Sequence, residues 1–271
     1  MTQDLLLRRQ YPPTPVYDAV KDDVLAQYPG PEYYHSARHA EEVAMGLRRH
    51  FPDLPPGSLH EYPNQANALD ICMVAALFHD IVYKAGAHPN ENENESASLA
   101  DGWLGSAGLF TSMERLLVRA LIQFTASQED NTLATPSRLL LRDMDWLHFT
   151  DLDKLAASDP LLWNEARRDG IPAHKWLCGR IDFLERLNGT RVFNSFPCAG
   201  FNYLAHANAF ARAEELKARC GDVLSAGHPG ARPAWTSPVY GQKTTWHDGN
   251  EVDFLPKEAF EDINARPWDF V

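Results

Sequence analysis

Nowhere in the 271 residues does an apolar run approach about eighteen positions, the length a membrane-crossing helix needs. Residues 1–13 hold only the apolar triplet Leu5-Leu6-Leu7 and lack the basic and apolar regions of a secretory leader. Cysteine is scarce: Cys72, Cys178, Cys198 and Cys220 stand far apart, with no C-x-x-C pair. That spacing excludes the usual cysteine-based zinc and redox motifs, and reduced thiols in a cytoplasmic protein are expected. Basic residues are in deficit, with 25 Lys and Arg against 37 Asp and Glu, a net charge of −12. A surface of that sign argues against a polymeric nucleic-acid partner, because backbone phosphates need clustered cations. It leaves room for a small anion held locally by a metal ion and a few arginines. No internal repeat is present.

What is there is ordinary globular composition, 44% hydrophobic and 23% charged, enough for one large domain or one domain with an appendage. Apolar residues recur at spacings of three and four, the helical period. Tyr17, Val20, Val24 and Tyr28 place a first helix within 16–28, stopped by Pro29-Gly30-Pro31. Residues 1–15 read as an irregular lead-in broken by Pro12, Pro13 and Pro15. A second helix runs from an N-cap at Ser36 to about Phe51, with Ala40, Val43, Ala44 and Leu47 inward. A Pro- and Asn-rich connector, 52–66, leads to a helix over 67–83 with Asn67 as a possible cap. After a polar loop over 84–95, helices are expected over 96–104, 111–124 and 135–147. The second of these should turn Leu116, Leu117, Ala120, Leu121 and Phe124 inward, and the third starts at Thr135-Pro136. Two more follow: 160–188, interrupted near Gly170-Ile171-Pro172, and 201–220. The expected fold is all-α, with a helical domain over 1–221. Beyond Asp222, prolines alternate with Trp235, Tyr240, Trp246, Phe254, Trp268 and Phe270. That pattern predicts an extended C-terminal arm over 222–271, packed on the helical body or on a partner chain in a homo-oligomer.

The centre of the chain is Ala75-Ala76-Leu77-Phe78-His79-Asp80, an apolar run ending in an imidazole and a carboxylate. Burying that pair costs several kcal/mol unless it is compensated. A divalent ion compensates by supplying the missing positive charge to two ordinary ligand types; a purely structural His–Asp hydrogen bond is the alternative. His39 falls in the first turn of its helix, on the inward stripe, and His35 lies just outside that helix within reach of the same space. Asp143 and Asp145 are two residues apart on one helix and flank its apolar face on opposite sides, so only one easily points into a shared site. Arg167, Arg168, Arg180 and Arg186 decorate the 160–188 segment, where arginines are surface residues by default.

The order His39, His79-Asp80, Asp143-x-Asp145 in an all-helical chain resembles the HD-domain superfamily of metal-dependent phosphohydrolases. Tyr34-His35-x-x-x-His39, Leu77-Phe78-His79-Asp80-x-Val82-Tyr83, Asn92-Glu93-x-x-Ser96-Ala97 and Asp143-x-Asp145 are similar to one bacterial branch of predicted HD phosphohydrolases, over about residues 28–220. The resemblance implies a helical bundle with a metal site at its centre. It implies one divalent ion (Mn, Fe, Co, Ni, Zn or Mg) on His39, His79, Asp80 and Asp145, with Asp143 in reserve. Glu93 then positions or deprotonates the attacking water, and Asp80 shares in catalysis. Tyr34, His35 and Arg167 contact the substrate phosphate. The implied reaction is hydrolysis of a phosphate ester or anhydride in a small molecule, foremost a nucleotide. A non-catalytic metal-containing sensor and an HD-type oxygenase are the alternatives. Where branch members often carry a further histidine, this chain reads Phe124-Thr125-Ala126-Ser127-Gln128-Glu129, which favours a single ion and counts against the oxygenase.

Overall fold

The computed structural model describes residues 12–126, 134–187 and 190–227. Among them are nine α-helices and no strand, the all-α class that the apolar spacing predicts. The helices are α1 (Pro15–Leu25), α2 (Ala37–His50), α3 (Ala68–Phe78), α4 (Glu91–Ala107), α5 (Ser112–Thr125), α6 (Pro136–Asp145), α7 (Leu152–Arg168), α8 (Ala173–Leu187) and α9 (Asn202–Gly227). No helix among the described residues is long and apolar enough to cross a membrane.

α3 is the axis of the bundle. It is apolar on all sides, every one of its residues is buried, and α1, α2 and α5 pack around it. Its single charge, Asp70, has a local reason to be there. The carboxylate accepts hydrogen bonds from the Val16 and Tyr17 backbone N–H groups at 3.0 and 2.8 Å. Those are orphan donors at the start of α1, which opens on Pro15 with no side-chain cap of its own. A charge at one helix start thus completes another.

α2 is amphipathic, with His39, Ala40, Val43, Ala44, Gly46 and Leu47 inward. Ser36 holds the N-cap position, but its hydroxyl donates to the Tyr34 carbonyl instead of accepting from the helix. α2 also packs against α6, where Leu140, Leu141 and Met144 are buried. α7, α8 and α9 form the remaining flank, and the 3₁₀ turn over Trp146–Thr150 joins it to α6.

Several boundaries differ from the sequence expectation. α3 ends at Phe78 rather than near Tyr83, so His79 and Asp80 occupy the turn that leaves it. α4 starts at Glu91, five residues before Ser96. Asn67 does not cap α3; its side-chain amide donates to Glu114, while Asn64 caps the preceding 3₁₀ turn. Leu116 points outward at 56% exposure, because the buried stripe of α5 runs through Glu114, Val118, Leu121 and Ile122. α7 begins at Leu152, capped by Asp151, and the break before α8 is made by Gly170 at φ 79°. α9 continues through Gly227, past the expected boundary at 221. Most of the lead-in (1–11) and of the C-terminal arm (228–271) lies outside the described residues.

Candidate metal centre

Three elements deliver four side chains to one point. α2 turns His39 inward from its first turn. The residues that leave α3 supply His79 and Asp80, and the last residue of α6 is Asp145. Each offers one ligand atom, and these atoms all lie within 4.8 Å of one another, a cluster that can hold a metal ion. His39 Nε2 is 2.9 Å from Asp145 Oδ1 and 3.5 Å from Asp80 Oδ2. His79 Nε2 is 2.8 Å from Asp80 Oδ2 and 3.6 Å from Asp145 Oδ1. The cluster is closed on one side, where the His79 side chain is 1% exposed, and reachable on the other, where Asp80 and Asp145 are 13% and 18% exposed.

The charges of the cluster act on one another. Burial works to lower the pKa of His39, but its hydrogen bonds to Asp145 and Asp80 outweigh that and raise it to about 8. Burial likewise opposes protonation of His79, and the Asp80 and Asp145 carboxylates overcome it. Burial pushes both carboxylates upward; for Asp80 the charges of His79 and His35 prevail, and for Asp145 the His39 hydrogen bond and the His79 charge, so both end well below the usual range.

One ring of the cluster has a fixed direction. His79 Nδ1 donates to the Ala76 carbonyl at 2.8 Å, which directs Nε2 into the cluster. Nε2 is fully buried and makes no hydrogen bond, although Asp80 Oδ2 is only 2.8 Å away. In the metal-free protein the carboxylates hold a proton on the ring, which a metal ion would replace at Nε2. An imidazole nitrogen and a carboxylate oxygen this close, and not aligned as a hydrogen bond, are also arranged as donors to one cation would be. First-row divalent ions take N and O donors at roughly 2.0–2.2 Å, so donors to one ion lie about 3–4 Å apart, and the four N···O separations here, 2.8–3.6 Å, are close to that. Two carboxylates and two neutral imidazoles also balance the charge of a divalent ion. The donor set fits the metal.

The other sequence candidates fall into place around this point. Glu93 lies in the first turn of α4, half-buried. Burial raises its pKa, the Asp80 carboxylate adds to that and His79 opposes it, so Glu93 shares the field of the cluster. Its neighbours hold it there. Asn92 accepts from the Lys84 N–H and donates to the Lys84 carbonyl, and the Ser96 hydroxyl does the same for Val82. The polar motif therefore fastens the chain leaving Asp80 onto α4, with Glu93 between the two clasps.

The Tyr34 ring lies 4.6 Å from the His39 ring, and its hydroxyl is 2.9 Å from His148 Nδ1. Burial and the Asp145 and Asp80 charges raise the Tyr34 pKa strongly, so its hydroxyl keeps its proton. His35 stands beside Asp80, Nε2 to Oδ2 3.7 Å, on the open side.

Two expectations do not hold in this geometry. Asp143 is fully buried away from the cluster, and its carboxylate accepts from the Asn194 and Ser195 N–H groups and the Ser195 hydroxyl at 2.6–3.0 Å. Two positions along a helix is about 200° of rotation, so Asp143 and Asp145 face opposite ways. Arg167 is exposed, and by the same rotation it points away from buried Glu165. The arginine near the site is Arg180, expected at the surface. Its side chain is 9% exposed, its Nε donates to Asp159 at 2.8 Å, and its charge helps to hold His148 neutral, with a pKa lowered to about 3 chiefly by burial.

His148, Glu165 and Arg180 are the residues that motif reading missed. His148 follows Asp145 by one helical turn, and that spacing was a usable signal. Glu165 carries none, because only the packing of α7 brings it inward. No protein-family model, no curated protein and no solved structure matches the chain.

Proposed function

We propose that the protein is a metal-dependent phosphohydrolase that cleaves a phosphate ester or anhydride in a small molecule, foremost a nucleotide. The observation that carries the reading is a cluster of two imidazoles and two carboxylates, with His79 Nε2 buried in it and no aligned hydrogen bond, that is reachable on one side and whose field half-buried Glu93 shares. The resemblance of these residues and their order to the HD-domain superfamily supports it. His39, His79, Asp80 and Asp145 hold one divalent ion, drawn from Mn, Fe, Co, Ni, Zn and Mg. When bound, such an ion supplies positive charge to a phosphoryl oxygen and lowers the pKa of water.

The rest of the work falls to the chain. Glu93 accepts the proton of the attacking water, a role for which burial suits it by raising its basicity. The Asn92 and Ser96 clasps fix it against the segment that carries Asp80. Tyr34, protonated, packs on His39 with its hydroxyl 2.9 Å from His148 Nδ1, and its part in the proposal is to contact the substrate phosphate from there. His35 contributes from beside Asp80. The acidic surface suits a small substrate better than a polymer. The cytoplasm is the expected compartment, in keeping with free Cys72, Cys178 and Cys198.

The test is product analysis by liquid chromatography. Chelated protein is reloaded with Mn, Co, Mg or Zn and given nucleoside mono-, di- and triphosphates beside an Asp80→Ala control. Metal-dependent cleavage is expected, and the product names the bond broken. No turnover with any of these metals, in protein that binds them, points instead to a metal-containing sensor.

A further inference from the structure

Glu165 on α7 is a buried carboxylate, 1% exposed, and the reading above gives it no task. Both of its oxygens are taken by one residue. The His35 backbone N–H donates to Oε1 at 2.7 Å, and His35 Nδ1 lies 2.8 Å from Oε2. The ring is held on its faces as well. Tyr83 stacks on it with centroids 3.5 Å apart and planes at 21°, and Tyr34 meets it edge-on at 5.0 Å. The remaining free ring atom, Nε2, stands 3.7 Å from Asp80 Oδ2 on the reachable side of the cluster. A buried charge is poor evidence of a stabilising role by itself. A carboxylate that grips both the backbone and one ring nitrogen of a single histidine, and so aims the other nitrogen at a metal ligand, has a more specific use.

We infer that Glu165 is a positioning residue for the proposed phosphohydrolase reaction: it fixes the orientation and tautomer of His35 so that Nε2 is presented beside Asp80 as a hydrogen-bond acceptor that orients the attacking water, whose proton goes to Glu93. The inference rests on the hydrolase reading. The chemistry of the pair makes it specific. A carboxylate that accepts both bonds leaves the hydrogen on Nδ1, so Nε2 keeps a lone pair that can accept from water. Glutamine at 165 reverses this. Its one oxygen is claimed by the His35 backbone N–H, which is an obligate donor, and its amide N–H₂ then faces Nδ1. Nδ1 must become the acceptor, and the hydrogen moves to Nε2. The side-chain volume is nearly unchanged.

The experiment uses full-length zinc-loaded protein, wild type and Glu165→Gln, with ¹⁵N-labelled histidine. Ring-nitrogen NMR is expected to show hydrogen on His35 Nδ1 in the wild type and on Nε2 in the variant. Turnover of the best nucleotide substrate is measured in parallel, with His35→Ala and the double variant. A contact with the reacting group appears in kcat, so Glu165→Gln should lower kcat by about tenfold or more with KM within about threefold. In the His35→Ala background it should have almost no further effect, because Glu165 acts through His35. A wild-type ring that carries its hydrogen on Nε2, or a tenfold loss that persists without His35, overturns the positioning role. An unchanged kcat in Glu165→Gln overturns it while leaving the hydrolase reading intact. A wild type that turns over none of the nucleotides sinks the hydrolase reading and the kinetic part of this inference with it, and the NMR result still decides the tautomer.

Discussion

Gly46 of α2 and Met144 of α6 meet so closely that a Cβ on the glycine would fall 2.8 Å from the methionine sulfur. The contact sits between the two helices that carry His39 and Asp145, whose side chains are 2.9 Å apart. The missing side chain therefore lets α2 and α6 approach closely beside two ligands. Gly46→Val should force Met144 (3% exposed) or the whole of α6 to move, at a cost of about 1–3 kcal/mol in stability. Metal affinity should fall with it. Urea unfolding and calorimetric metal titration measure both; a variant as stable and as tight-binding as the wild type would show that the spacing is not set here.

Asp80 and Asp143 separate ligation from architecture. Asp80→Ala should abolish stoichiometric metal binding, because Asp80 Oδ2 lies within 3.7 Å of three imidazole nitrogens. Asp143→Ala should leave the stoichiometry intact but destabilise the fold by about 1–3 kcal/mol. It strands the Asn194 and Ser195 N–H groups that the carboxylate satisfies. Elemental analysis after gel filtration, with denaturant titration, distinguishes the two. Metal retained by Asp80→Ala would refute the ligand assignment.

The sequence made parts of this site legible and hid others for physical reasons. His39 stood out because a polar residue on an inward stripe is conspicuous, and α3 because it is apolar on every side. The choice between Asp143 and Asp145 was geometrically open: both flank the same stripe, and only the tertiary partners Asn194 and Ser195 show which one turns away. The start of α4 was misplaced because Asn90, Asn92 and Asn94 weaken helix propensity. Residues from that stretch bond to the chain before it, and Asn90 adopts the left-handed conformation at φ 65° as the helix starts. The sequence alone makes Arg180 a surface residue because its partner, Asp159, lies on another helix and also pairs with Arg212 of α9. Long-range ion pairs of that kind leave no local pattern.

Metal and protons should compete for His39. In the metal-free protein its pKa is raised from 6.5 to about 8, so at pH 7 the ring is mainly charged and must lose its proton to become a ligand. The sign for stability follows. The contribution of His39 to the metal-free fold is fully present below about pH 6.5 and is lost as pH rises through about 8. Asp80 and Asp145, with depressed values, contribute above about pH 4 and lose that contribution as pH falls. Calorimetric zinc titrations in buffers of different ionisation enthalpy should therefore show protons released at pH 7, fewer at pH 9, and an apparent affinity that rises between them. Equal proton release at both values would contradict a raised His39.

Glu93 offers the sharpest division between holding the ion and using it. Its carboxyl shares the field of the cluster without belonging to the ligand set. Glu93→Gln keeps the size and the place of the side chain in the first turn of α4, and the clasps made by Asn92 and Ser96 do not depend on it. The metal content should stay at the wild-type ratio, and the melting temperature should change little. What the amide cannot do is take a proton from water. Removal of a general base typically costs about 10²–10⁴-fold in rate, and that loss should fall on kcat. Glu93→Asp retains the carboxylate but withdraws it by one methylene, so it should recover part of the rate. Metal content, melting temperature and kcat measured on the same preparations decide the matter. A Glu93→Gln protein that turns over at the wild-type rate would move the base elsewhere, and one that loses its metal would make Glu93 a ligand.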